Sequence, residues 1–164
     1  MTARRQPVLG VLGGGQLARM LAIAAAPLGV NTVVVDSAED ACAGQVAQLM
    51  AANWKDYATL EAFAGKADVA TFDFENVPAE TAHWLAERVA VSPAPRALAA
   101  AQDRLAEKTL FRECGLSTAD FAAVDTRAGL DEALAVHEHA PIAHHLHRVP
   151  RQADAALEVR LAFR

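Results

Sequence analysis

Three consecutive glycines, Gly13, Gly14 and Gly15, stand between the apolar run Val8–Leu12 and a long helical pattern over residues 16–28. A strand that turns on glycine directly into a helix is the opening of a βαβ unit, and few other folds begin this way. In the helical pattern Leu17, Met20, Leu21, Ala24 and Leu28 recur at spacings of three and four, which puts them on one face. Gly29 follows where a helix C-terminal cap belongs. Residues 31–35 read as a second strand, apolar without a break from Val33 to Val35, as in a strand covered on both faces. It ends at Asp36.

The alternation continues. Residues 45–52 fit a helix or a strand. Residues 58–64 are helical, with Asp56 or Thr59 as the cap. Residues 67–74 carry Val69, Thr71, Phe72 and Phe74 and read as a strand. Pro78 suits the first position of a helix running to about Arg88. Residues 89–91 form a short strand, broken by Ser92-Pro93-Ala94-Pro95. The order implies an α/β fold, a Rossmann-like open and mainly parallel sheet with helices on both faces. Beyond residue 100 the character changes: residues 97–101 and 102–113 are helical, Gly115 is a stop, residues 117–124 are extended, and residues 131–136 are helical again. The final stretch holds five of the six histidines, His137, His139, His144, His145 and His147, and shows no strong strand pattern.

Composition narrows the function. The chain has 164 residues and a net charge of −5, so the basic footprint of a nucleic-acid binder is missing. Hydrophobic residues at 53% supply a real core, and aromatics at 5% mean that Ala, Val and Leu must fill it. Cys42 and Cys114 are too few for a disulfide framework and too far apart for a CxxC site. No apolar run reaches a membrane-spanning length. The basic start resembles a signal peptide only superficially, since Gly13–Gly15, Gln16 and Arg19 interrupt the apolar run. The expectation is a soluble, cytoplasmic protein with neither a nucleic-acid nor a membrane partner.

Gly13-Gly14-Gly15-Gln16-Leu17-Ala18 fits G-x-G-x-x-G/A. Glycines allow close backbone approach, and a helix start offers unpaired N–H groups to an anion. Asp36 lies 23 residues after Gly13, near the usual ribose-binding carboxylate. One reading is therefore a nicotinamide or flavin oxidoreductase. The other is a turn whose glycines only permit tight packing.

Three blocks say more. Gly10-Val-Leu-Gly-Gly-Gly-Gln-Leu-Ala-Arg-Met20, continued by Ala24-Ala-Ala-Pro-Leu-Gly29, resembles the opening of the 5-(carboxyamino)imidazole ribonucleotide synthases, ATP-grasp enzymes of purine biosynthesis. Thr71-Phe-Asp-Phe-Glu-Asn-Val-Pro78 and Ala101-Gln-Asp-Arg-Leu-Ala-Glu-Lys108 follow in the family's order. The resemblance runs from about Val8 to Val124. Ala18, often Gly in the family, and Asp73, usually Glu, depart from it.

The resemblance implies a pre-ATP-grasp domain over residues 1–100, the first elements of an incomplete ATP-grasp domain over 101–136, and a divergent tail over 137–164. It implies that Gly13, Gly14, Gly15, Gln16 and Leu17 edge the site of 5-aminoimidazole ribonucleotide. Glu75 and Asn76 would join them, with Glu75 accepting hydrogen bonds from ribose hydroxyls or the substrate amine; the plain alternative is a solvated cap for the next helix. Asp36 would be a loop carboxylate with no assured ligand. Arg104 would contact ATP, its guanidinium suiting phosphate. The alternative for Arg104 and Lys108, four apart on one helical face, is an exposed basic face paired with Asp103 and Glu107, and Lys108 is assigned to it.

The implied reaction is ATP-dependent carboxylation of the ribonucleotide by bicarbonate, with Mg²⁺, in an enzyme of homodimeric form. Phosphoryl transfer needs a glycine-rich phosphate loop, a Lys and metal carboxylates. Lys108 is the last lysine and Gly129 the last glycine, so no catalytic and no metal-binding residue is assigned. The expectation is a chain inactive alone, either a shifted reading frame near residues 136–141 or a short paralogue with a new tail. The histidines of that tail are read as an adventitious rather than a physiological metal site. A non-catalytic binding or interaction module is the remaining alternative.

Overall fold

The structure is a computed structural model that describes residues 5–124, 126–136, 142–145 and 160–163. The chain divides into two compact units, Met1–Ala99 and Ala100–Arg164.

The first unit is built on five strands: β1 (Val8–Leu12), β2 (Asn31–Asp36), β3 (Gln48–Ala51), β4 (Val69–Phe72) and β5 (Ala90–Val91). Their order is β3-β2-β1-β4-β5, and every pairing is parallel. Parallel neighbours need crossovers; a 3-10 turn makes the one from β2 to β3, and α-helices supply the other three. These are α1 (Gln16–Ala25), α2 (Tyr57–Ala64) and α3 (Ala79–Ala86). The parallel sheet expected from the alternation is therefore present. Residues 45–52, ambiguous by pattern, become the end of a 3-10 turn, Cys42–Gln45, followed by β3.

Side chains of β2 alternate between two cores. Val33 and Val35 join Leu12, Leu60, Phe63 and Leu85 on one face of the sheet. Val34 joins Val11, Ala18 and Ala43 on the other. Successive strand residues point to opposite faces, so the unbroken Val33–Val35 run reports a sheet covered on both sides. Asp56 caps α2 by accepting from the Thr59 N–H at 3.2 Å. Gly29 takes a left-handed φ of 72° after the 3-10 turn Ala26–Leu28, as its cap position requires.

The face carrying Leu17, Met20, Leu21, Ala24 and Leu28 does not meet the sheet; each of these residues is exposed. The buried residues are Ala18, Ala22 and Ala25. Side chains this small let the helix backbone lie close to Val11 and Val34, and larger ones would hold it away.

The second unit contains α5 (Arg104–Glu113), β6 (Phe121–Ala122), α6 (Arg127–Val136), β7 (Ile142–His145) and β8 (Arg160–Phe163); α4 (Pro95–Gln102) spans the boundary. Val124 and Ala133 form a small core with Ala122, Leu130 and Leu134. The strands make an antiparallel sheet in the order β6-β8-β7. The expected lack of strands in the final stretch is thus corrected. Its strands are four residues each and pair with segments distant in sequence, a dependence that no local pattern displays. His137, His139 and His147, and the supposed breakpoint at 137–141, lie outside the described residues.

Candidate functional site

The strand order reverses direction between β1 and β4: the chain leaves β1 toward β2 and β3, then returns to β4 on its other side. In an open parallel sheet this switch point opens a crevice at the carboxyl ends of the strands. The register aligns those ends. Leu12 lies beside Val35 and beside Phe72, so Gly13, Asp36 and Asp73 come level at the same edge of the sheet.

Backbone hydrogen bonds fasten this rim. The Gly13 N–H donates to Val35 O at 2.9 Å, and the Asp73 N–H donates to Leu12 O at 3.0 Å. Gly13 has φ 99°, a conformation that side chains disfavour. A Cβ there would also fall 1.7 Å from Asp73 Oδ1. At Gly14 it would fall 2.7 Å from the Ala41 Cβ. The turn therefore needs glycine for its dihedrals at one position and for space at the next.

Two carboxylates close over the turn. The Gly14 N–H donates to Asp36 Oδ2 at 2.6 Å, and the Gly15 N–H donates to Asp73 Oδ2 at 3.2 Å. Asp36 Oδ1 also accepts from the Ala38 N–H at 2.8 Å. Gly15 is the N-cap of α1 and has no side chain to cap with, so Asp73 serves the helix start from another strand. Burial raises the Asp73 pKa above the ordinary aspartate value, and repulsion from Asp36 adds to it; the N–H groups of Ala18 and Gly15 oppose the shift. Asp73 Oδ1 is buried with no hydrogen-bond partner.

This arrangement weighs against the dinucleotide reading. The N–H groups that a pyrophosphate would use already hold two anionic carboxylates, which would repel it. Both carboxylate oxygens of Asp36 are engaged by backbone N–H groups, those of Gly14 and Ala38. The sequence signal for this role was available in part: each aspartate stands directly after the apolar run of a strand that neighbours the glycine strand.

The expected ribonucleotide residues sit along the same rim. Gly13 and Gly14 are buried, whereas Gly15, Gln16 and Leu17 are exposed at the start of α1. The loop after β4 alternates. Phe74 turns inward and packs near Trp54, with ring centroids 6.3 Å apart, and Val77 is fully buried. Those two anchors leave Glu75 and Asn76 exposed between them. An open groove elsewhere in the unit, lined by Arg5, Asn31, Thr32, Gln48 and Lys66, lies at the opposite ends of the strands.

Arg104 stands in the second unit, at the start of α5, half-exposed and paired with Glu107. Lys108 corrects its assignment to an exposed face. It is 6% exposed, and its Nζ donates to Thr118 Oγ1 at 2.9 Å and to Ala119 O at 3.3 Å. The segment after α5 folds back over this lysine, which helical spacing alone does not reveal. Burial lowers its pKa, as does the positive charge of Arg104, against the opposing pull of Glu107. Among the described residues no three His, Cys, Asp or Glu side chains converge as a metal site would require, and no helix is long and apolar enough to cross a membrane.

Comparison with known proteins extends the picture. Residues 7–102 match the ribonucleotide synthetase preATP-grasp domain family. The chain is 46% identical to the N5-carboxyaminoimidazole ribonucleotide synthase of Pseudomonas aeruginosa over 127 residues, 77% of this chain and 35% of that protein. The crystal structure of N5-carboxyaminoimidazole ribonucleotide synthetase from Thermus thermophilus superposes with a TM-score of 0.78 at 38% identity, covering 94% of this chain and 40% of that one. The N5-carboxyaminoimidazole synthase of Aspergillus clavatus, solved in complex with ADP and 5-aminoimidazole ribonucleotide, superposes with a TM-score of 0.75 at 26% identity, covering 84% of this chain and 38% of that one. The chain spans about a third of the length of the curated relatives it matches.

Proposed function

Since the chain belongs to the ribonucleotide synthetase preATP-grasp family, we propose that it forms the ribonucleotide-binding side of an N5-carboxyaminoimidazole ribonucleotide synthase. The reaction of that enzyme is the ATP-dependent carboxylation of 5-aminoimidazole ribonucleotide by bicarbonate. The observation that carries the reading is the rim at the β1–β4 switch point, where Gly15, Gln16 and Leu17 follow the carboxyl end of β1 and Glu75 and Asn76 follow that of its parallel neighbour β4. Likeness to an enzyme solved with this ribonucleotide supports the choice of ligand.

In this reading Glu75 accepts hydrogen bonds from ribose hydroxyls or from the substrate amine, and Asn76 offers both a donor and an acceptor beside it. The turn Gly13-Gly14 shapes the floor, and Gln16 and Leu17 form the edge. Arg104 contacts ATP, which requires its pair with Glu107 to open toward phosphate. Bicarbonate as co-substrate, Mg²⁺, a homodimeric assembly and a cytoplasmic setting belong to the same reading. The described residues do not fit Mg²⁺: no three ligating side chains converge, and Asp36 and Asp73 are engaged by backbone N–H groups. No step is therefore assigned to a metal held by them.

Calorimetric titration of 5-aminoimidazole ribonucleotide into the 164-residue chain tests the reading. Saturable binding is expected. Glu75→Gln, which keeps the shape and removes the charge, should weaken it by about tenfold, the loss of one hydrogen bond to a charged group. Absence of binding, or a Glu75→Gln variant that binds equally well, would overturn it.

A further inference from the structure

The strand β3 joins its neighbour late. Its first residue, Gln48, lies beside Val33, whereas β1 pairs with β2 from Asn31 onward. The first two residues of β2, Asn31 and Thr32, therefore have no strand on the β3 side, and residues 44–47 line the gap. A groove of about 780 Å³ opens there, at the amino ends of the strands and away from the ribonucleotide rim. Its volume is that of a small-molecule site.

The two ends of the groove differ in chemistry. At one end Arg5 precedes β1, and Lys66 stands two residues before Asp68, whose N–H donates to Val8 O at 2.8 Å. Arg5 is paired with Asp68. Lys66 is exposed and makes no ion pair among the described residues. At the other end, where β3 begins, Gln45 and Gln48 are exposed, and neither side chain is hydrogen-bonded among the described residues. Val46, 45% exposed, gives an apolar surface beside them. In the wall, Thr32 Oγ1 is buried without a hydrogen-bond partner.

We infer that this groove binds a nucleoside monophosphate. The unpaired ammonium of Lys66 takes the phosphate, a charge-assisted contact. Each glutamine amide offers a donor and an acceptor, the pattern that the edge of a base presents in return, and Val46 meets the face of the base. The ribose lies between, where a small rotation of Thr32 brings its hydroxyl the partner it lacks. The span fits as well. Two strand spacings separate the start of β1 from that of β3, about 10 Å, which is the reach of such a ligand from phosphate through sugar to base. An inorganic anion would use only the lysine end, and a neutral nucleoside would leave Lys66 without a counter-charge.

The groove shares no residue with the ribonucleotide rim, so the two readings fail separately. AMP titrated into the isotope-labelled full chain, followed by amide NMR, tests the inference. Saturable shifts are expected at Thr32, Gln45, Gln48 and Lys66, whether or not the amides of the rim move as well. Adenosine should bind the groove about tenfold more weakly than AMP, for want of the charged contact. Lys66→Ala should weaken AMP by about the same factor and leave adenosine unchanged. Gln48→Ala should weaken both. All three side chains are exposed, and an otherwise unchanged spectrum would show that the variants fold; Lys66→Gln, which keeps much of the stem, repeats the comparison should alanine disturb the end of α2. Groove amides that stay still at millimolar AMP, adenosine that binds as tightly as AMP, or a Lys66→Ala chain with wild-type affinity would overturn the inference.

Discussion

Gly13 and Asp73 depend on each other. Gly13 holds φ 99° while Asp73 Oδ1 occupies the space where its side chain would be. Gly13→Ala should therefore destabilise the chain by more than about 2 kcal/mol, combining an unfavourable dihedral with a steric clash. Urea unfolding measures this, and a loss within experimental error would contradict the turn geometry. Asp73 itself should make stability depend on pH. Its pKa is raised in the folded state, so the folded chain holds that proton more tightly than the unfolded one. The stabilising contribution is present below the ordinary aspartate range and is lost as pH rises through the raised value. Measured against Asp73→Asn across mildly acidic to neutral pH, the wild-type unfolding midpoint should fall as pH rises. A constant difference between the two would refute the assignment. At this scale the glycines were legible because glycine has few other reasons to be tripled after a strand. The two carboxylates were not, since Gly14 and Gly15 meet them only after three strands align.

The helix α1 shows how a pattern identifies an element and still leaves its orientation open. Its spacing of three and four marked a helix, and a helix forms. The larger apolar residues suggested one face, while the alanines Ala18, Ala22 and Ala25 are the ones that meet the sheet. Both stripes have the helical period, and only the close approach of β1 and β2 selects the small one. Ala22→Leu should then cost about 1–3 kcal/mol through overpacking, although leucine is the more hydrophobic residue. Met20→Ala should change stability by no more than about 0.5 kcal/mol in dilute protein. Chemical denaturation of the two variants side by side decides the matter, and the reverse order of effects would mean that the helix is turned the other way. Strands followed the same rule: β2 announced itself through Val33–Val35, whereas β7 and β8 exist through pairing with distant segments.

For the whole molecule, the strand order β3-β2-β1-β4-β5 determines where a ligand can sit, because the switch between β1 and β4 opens the crevice. That order is shared by dinucleotide-binding folds, so the fold alone does not choose the ligand. The choice turns on the occupied N–H groups of Gly14 and Gly15. NADH titrated into the chain and followed by its fluorescence should show no saturable binding. Saturation in the low micromolar range would favour a dinucleotide site despite the carboxylates.

Local signals in the sequence sufficed for the alternation of strands and helices, the glycine turn and the family, and narrowed the cap of α2 to Asp56 or Thr59. Each depends on residues close together in the chain or on a linear motif. The tertiary structure alone decided which stripe of α1 is buried, that Lys108 lies beneath the segment after α5, and that Asp36 and Asp73 close over the turn. The physical reason is common to all three. Burial and hydrogen bonding are settled by groups brought together from separate elements, and the same local pattern is compatible with more than one partner until the sheet and its register bring one of them into reach.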